Sequence, residues 1–369
     1  MKLPLRVFEK QPPVEMTGLL RLFWPLATTS PSSAVSPITA LLITVLLTTA
    51  CAPRPADCAR ADVFCAGLVT ASGSINEGIN QQAWLGLQDA KAEGFADRID
   101  YIETVDARDR AANLQALVDD GYDVIIAAGG ALADETGSAA QKNPGIKFIG
   151  VEQTQETALP NLTDLVFHEE HGGFLAGALA ASLTQTNRVA ALCEAKFIDD
   201  MRRYCDGFQA GAQYIHPNLN PTIVYRTGSN ENLFNDTDWG SQAAIQATHD
   251  GADVVFAAGG NTAKAALEAA ALRGAYIIGS ETDPYEDLTD VRSRLLSSAL
   301  NDIRPGVRDL MRLARINQLP AGNFFGSIEL APFHDQDQQI PQPVKDGLVQ
   351  LEKELAGGAL MDKVPYQKP

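Results

Sequence analysis

Beyond residue 61 the chain alternates short apolar runs with longer stretches in which apolar residues recur every three or four positions. Residues 62–70 (DVFCAGLVT) read as a buried strand. Residues 80–93 read as a helix with Ala83, Trp84, Leu87 and Ala90 on one face and Gly94 as its stop. Residues 99–104 predict a second strand, 109–120 a helix ended by Gly121, and 122–128 (YDVIIAA) a third strand; 147–151 and 162–167 follow. The rhythm restarts at Arg188, with strands over 189–193, 222–225, 254–258 and 276–279 and a helix near 202–213. Strands separated by helical patterns predict an α/β fold of parallel sheets with helices on both faces.

The second half echoes the first. Residues 120–130 read DGYDVIIAAGG and residues 250–260 read DGADVVFAAGG, identical at eight of eleven positions. Phe148-Ile149-Gly150-Val151-Glu152 is answered by Ile277-Ile278-Gly279-Ser280-Glu281, and Gly86-Leu87-Gln88 by Gly207-Phe208-Gln209. Three matches in one order at so long a period predict a duplicated domain, not a solenoid. Ligands of open parallel sheets sit beyond the carboxyl ends of the strands, where loops enter helix N-termini. Gly129-Gly130 and Gly259-Gly260 occupy that place in the two halves, where glycine lets backbone N–H groups come close to a ligand. Two lobes with matched rims imply a cleft.

Composition narrows the classes. A chain of 369 residues, 45% of them hydrophobic, suits two packed domains better than one. A formal net charge of −17 argues against a nucleic-acid partner, which selects Lys- and Arg-rich surfaces. Residues 38–50 (ITALLITVLLTTA) form an apolar run too short to span a bilayer comfortably, preceded by Lys2, Arg6, Lys10 and Arg21. This predicts a signal peptide over 1–50, with Met16 as an alternative start. Cys51 follows at once and opens a tether over 51–61, an arrangement that resembles the lipobox of bacterial lipoproteins, although Thr48 stands where that motif has Leu. The expectation is a lipid-anchored extracytoplasmic protein, with ordinary cleaved secretion and a free or disulfide-bonded Cys51 as the alternative. The other four cysteines, Cys58, Cys65, Cys193 and Cys205, allow three disulfide pairings. The local pairs Cys58–Cys65 and Cys193–Cys205 close the shortest loops; buried free thiols are the alternative.

Residues 74–87 (SINEGINQQAWLGL), 121–134 (GYDVIIAAGGALAD), 143–151 (NPGIKFIGV), 172–181 (GGFLAGALAA), 251–260 and 331–335 (APFHD) together resemble the basic membrane protein family of bacterial lipoproteins. That family includes purine-nucleoside receptors of ABC transporters. The resemblance implies a type I periplasmic binding protein: two Rossmann-like lobes joined by three crossover segments, here near 166–169, 284–296 and 320–326. The first lobe would hold residues 62–167 plus about 284–320, the second 168–283 plus about 321–369. The chain departs from the receptors at several positions. Ile79 stands where they carry an aromatic before Asn80, and Asn230 stands where a second stacking aromatic follows the Gly-Ser at Gly228-Ser229. Phe234 and Trp239 are near enough to offer a ring. A carboxylate gripping ribose hydroxyls is matched by Glu281, and a lysine by Asn301.

The candidate ligand set is therefore Asn76, Asn80, Gly130, Asp134, Phe234, Gly259, Gly260, Glu281 and Asn301. A purine-nucleoside-like ligand is expected, with a sugar or other polyol as the alternative, since Asn76, Asn80, Glu281 and Asn301 can all bind hydroxyls. The implied partner is a membrane ABC permease, and a monomer with no cofactor is expected. A ligand sensor without transport is a second alternative and a nucleoside-cleaving enzyme a third. Enzyme signatures are missing from the sequence: there is no G-x-S-x-G elbow, no G-x-G-x-x-G and no phosphate loop. His168-Glu169-Glu170-His171 places two imidazoles at i, i+3 without a visible third ligand, so it reads as a solvated or hinge-adjacent turn and no metal is expected.

Overall fold

The computed structural model describes residues 58–365. The expected signal peptide, Cys51 and the first part of the tether lie outside the described residues. β1 (Cys65–Thr70), β3 (Val124–Ala128) and β5 (Leu162–Val166) are buried at every position, as strands covered on both faces must be. They join β2 (Arg98–Ile102), β4 (Lys147–Val151) and β11 (Gly322–Phe325) in a six-stranded sheet of order β11-β5-β4-β3-β1-β2, with every pairing parallel. The second sheet has order β12-β10-β9-β8-β6-β7. It is built from β6 (Val189–Cys193), β7 (Thr222–Tyr225), β8 (Val254–Ala258), β9 (Tyr276–Glu281), β10 (Leu295–Asn301) and β12 (Ile328–Leu330). Only β12, on its edge, runs antiparallel to its neighbour. The sequence repeat is thus a structural repeat: β3 and β8 carry the matched AAGG ends, and β4 and β9 the matched Glu152 and Glu281.

Helices cover both faces. In the first lobe these are α1 (Gly78–Ala92), α2 (Arg110–Asp119), α3 (Ala133–Lys142) and α8 (Ile303–Arg315). In the second they are α4 (Glu169–Leu183), α5 (Asp199–Ile215), α6 (Thr237–His249), α7 (Gly260–Leu272) and α9 (Gln342–Ala356). The pair α4 and α5 approaches to backbone contact: a Cβ at Gly173 or Gly177 would meet the Tyr204 or Phe208 carbonyl, and one at Gly207 or Gly211 the Glu170 or Phe174 carbonyl. That contact explains why α4 is buried nearly all round.

The chain changes lobes where β5 leads into α4; the second crossing lies later than the expected 284–296, and the third lies just beyond the expected 320–326. Residues 295–301 do not belong to the first lobe: they form β10, paired in parallel with β9. A run containing two serines can be a central strand because each hydroxyl is spent internally, Ser297 Oγ donating to the Ala331 carbonyl and Ser298 Oγ to the Thr282 carbonyl, both at 2.7 Å. The chain returns to the first lobe only between Asn301 and α8. Residues 322–325 lie in the first sheet as β11, not in the second lobe, and the last crossing is the short link from Gly326 to β12. The crossings are laced together. The Gly326 N–H donates to the Val166 carbonyl at 2.8 Å and the Asp302 N–H to the Ser327 carbonyl at 3.1 Å. Disulfides join Cys58 to Cys65 and Cys193 to Cys205; the second ties the end of β6 to α5.

Candidate functional site

The two matched glutamates end their strands in the same way. Glu152 and Glu281 both adopt left-handed backbone, with φ of 56° and 66°, a conformation unusual outside glycine and often kept where a site needs it. This bend turns the chain at the carboxyl ends of β4 and β9, where open α/β sheets bind ligands. Asn301, the last residue of β10, connects the lobes. Its Nδ2 donates to Glu152 Oε1 at 3.1 Å, and its Oδ1 accepts from the hydroxyl of the fully buried Tyr204 at 2.9 Å. Asp200, in the first turn of α5, and Glu169, in the first turn of α4, add carboxylates on the second-lobe side.

Negative charge therefore converges here. Glu152 and Glu281 keep some solvent contact, yet both carboxyls lie deep between the lobes. Burial, with Glu281 opposite and against the Asn301 hydrogen bond, pushes Glu152 up to about 8. Burial and Asp200 push Glu281 up to about 7. Burial likewise raises Asp200 and, more strongly, Glu169, although Arg203 pulls both down. Arg203 contacts Glu169, Asp200 (2.6 Å) and Glu170 (3.6 Å), one guanidinium facing three carboxylates. Near neutral pH the Glu152–Glu281 pair thus retains protons, so it can both donate to and accept from a polar ligand.

The remaining predicted residues fall in different places. A Cβ on Gly130 would lie 2.9 Å from the Glu152 carbonyl, so only glycine lets that backbone lie against the site. Asn80 is buried and ties down the rim loop after β1, its Nδ2 donating to the carbonyls of Ser72 (2.9 Å) and Ser74 (3.2 Å). Asn76 is exposed and bonds Ser74 Oγ at 3.1 Å; Asp134 is exposed on the first turn of α3. Just behind Gly259-Gly260, the next two backbone donors of α7 are already engaged. The Phe234 carbonyl already accepts the Asn261 N–H at 2.9 Å and, at 3.4 Å, the Thr262 N–H. Phe234 itself has φ of 63°, leans on Gly260 and leaves its ring 38% exposed.

Sequence reasoning missed what holds that loop. Glu194 and Arg226, immediately after β6 and β7, form an ion pair buried to 1% or less. Glu194 Oε2 accepts from the Phe234 N–H (2.9 Å) and Thr262 Oγ1 (3.0 Å), while Arg226 reaches Asp236 (3.1 Å) and the Ser229 carbonyl (3.0 Å). Phe197, just beyond β6, presents a second ring, 65% exposed, at the same strand ends. Glu152 was legible as the repeat partner of Glu281; Asp200, Tyr204 and Glu169 had no such signal. The helix α4 begins at Glu169, so 168–171 is a helix start, and Glu170 supplies the third group that His168 and His171 lacked in sequence: ligand atoms of the three lie within 4.8 Å of one another.

Two α/β lobes, three crossings and a polar site at facing strand ends define a type I periplasmic binding protein. A solved solute-binding protein of an ABC transporter system from Aeropyrum pernix superposes with a TM-score of 0.65 at 18% identity, over 80% of this chain and 92% of that one. Residues 65–323 match the Bmp family, described as ABC transporter substrate-binding protein PnrA-like, and the chain belongs to this family. It is similar to the CD4+ T-cell-stimulating antigen of Listeria monocytogenes, 29% identical over 70% of this chain and 76% of that protein. It is also similar to the ABC transporter nucleoside-binding protein BmpA of Lactococcus lactis, 28% identical over the same shares. Among the described residues no helix is long and apolar enough to cross a membrane.

Proposed function

We propose that the chain is the extracytoplasmic, lipid-anchored receptor of an ABC transporter and binds a purine-nucleoside-like solute between its lobes. The observation that carries this reading is the meeting of Glu152, Glu281 and Asn301 where the lobes touch. Such a cluster suits vicinal hydroxyls, because a carboxyl pair that retains protons can match both donor and acceptor on a ribose. Phe234 and Phe197 offer exposed rings for a base, replacing the aromatics absent at Ile79 and Asn230. The nucleoside-binding name of the Lactococcus relative points the same way. Ligand held by both lobes favours the closed arrangement, which then docks on a permease.

Glu281→Ala tests the assignment. Losing the carboxyl leaves ligand hydroxyls without a partner and should weaken nucleoside binding by roughly fivefold to a hundredfold, about 1–3 kcal/mol. A 2′-deoxynucleoside should bind wild type more weakly than its ribo counterpart, and the difference should shrink in the variant, because a hydroxyl matters only while its partner is present. Undiminished binding by Glu281→Ala in calorimetry would refute the role given to Glu281.

A further inference from the structure

His168, Glu170 and His171 have no part in the solute recognition proposed above, and they are gathered at the crossing between the lobes. His168 caps α4 directly after β5, and its ring stacks on Phe325 at the end of β11 (centroids 4.3 Å apart) and on His171 (4.7 Å). His168 Nδ1 lies 2.9 Å from Glu170 Oε1. The three side chains line a cavity of about 170 Å³, walled on its other side by Leu355, Met361 and Val364 at and beyond the end of α9. The space is small and largely apolar apart from these groups, a poor fit for a nucleoside and room enough for an ion with little water.

The charge balance favours a cation. Glu170 is 1% exposed and its Oε2 accepts no hydrogen bond. Among the described residues the one guanidinium within 4 Å of it, Arg203 at 3.6 Å, is shared with Glu169 and Asp200. Ligand atoms bound to one ion at about 2.0–2.2 Å lie within about 4.4 Å of each other, so the observed 4.8 Å spread closes with small side-chain rotations. Two imidazoles and a carboxylate are the donor set of borderline divalent ions such as zinc, not of magnesium or calcium.

We propose that His168, Glu170 and His171 form a binding site for a divalent transition-metal ion of the zinc class at the lobe crossing. The ion would replace the His168–Glu170 hydrogen bond by two metal bonds and complete the charge around Glu170. Placed against Phe325, it would join the first crossing to the strand that precedes the last one. The inference is independent of which solute the cleft takes.

The test is a zinc titration of the full chain, prepared without a histidine tag and stripped with chelator, with cobalt(II) as a spectroscopic substitute. Wild type should take up one equivalent, raise its melting temperature, and with cobalt give a visible d–d band. His168→Ala/His171→Ala should lose at least about a hundredfold in zinc affinity and lose the band; Glu170→Gln should lose about tenfold or more. Should the double alanine variant fold poorly, His171→Phe keeps a ring in place for stacking and should lose the band with its circular dichroism unchanged. No saturable uptake by wild type, or uptake that the His variants retain, would overturn the proposal.

Discussion

Raising the pH should open the ligand-free protein, and Glu152 with Glu281 should be the cause. In the contact arrangement Asn301 bridges to Glu152, and Glu152 and Glu281 are pushed up to about 8 and about 7. Asp200 and Glu169 face them from the second lobe, and Arg203 is already shared among the carboxylates of that side. Separating the lobes readmits water to both carboxyls and moves Glu152 away from Glu281 and Asp200, which lowers both toward the ordinary value of 4.5. The sign follows. Both groups are raised in the closed form, so closure is favoured at low pH and that advantage is lost as pH rises through about 7–8. Each proton held only by the closed form lowers the closed-to-open ratio up to about tenfold per pH unit, or roughly 1.4 kcal/mol. Hinge opening relieves the repulsion at far smaller cost than unfolding, so the response should be a change of shape, not of secondary structure. Small-angle scattering of solute-free protein from about pH 6 to about pH 9 should show a growing radius of gyration. Glu281→Gln should flatten the response, and Glu152→Gln/Glu281→Gln should nearly abolish it. A pH-invariant wild-type profile, or an undiminished response in the double variant, would refute the reasoning.

Arg226→Met should strand the Glu194 carboxylate in a site where the pair is 1% or less exposed, costing about 3–5 kcal/mol in denaturant unfolding. Because Glu194 also holds the Phe234 N–H, the same variant should weaken solute binding; unchanged stability and binding would contradict the scaffolding role. Cys51→Ser should shift the protein, expressed in a bacterial host, from the detergent phase to the aqueous phase. A wild-type chain with an unmodified N-terminus that starts elsewhere would contradict the anchor.

Much of the fold was readable because the strands of a doubly covered sheet are near-continuous apolar runs; 147–151, 189–193, 222–225 and 254–258 coincide with β4, β6, β7 and β8. β10 hid because Ser297 and Ser298 look polar until their hydroxyls are seen to be spent on backbone carbonyls. The lobe boundaries moved with it. Within the candidate site, Glu281 and Asn301 were proposed through resemblance; Glu152 was left out of the candidates although the repeat aligns it with Glu281. Asp200 and Tyr204 enter from α5, and nothing in an acidic helix start distinguishes a carboxylate aimed between lobes from one in water. The Phe234 carbonyl at the N-terminus of α7 was equally invisible: a backbone group leaves no mark in sequence except the glycine that admits it.

The central claim, a nucleoside-like solute held between the lobes, is tested most directly by calorimetric titration of solute-free wild type with adenosine, guanosine and inosine. The account predicts saturable one-to-one binding of at least one of them, with a dissociation constant at or below about 1 μM, equivalent to roughly 8 kcal/mol. Absence of binding heat and of any melting-temperature shift with all three would contradict it.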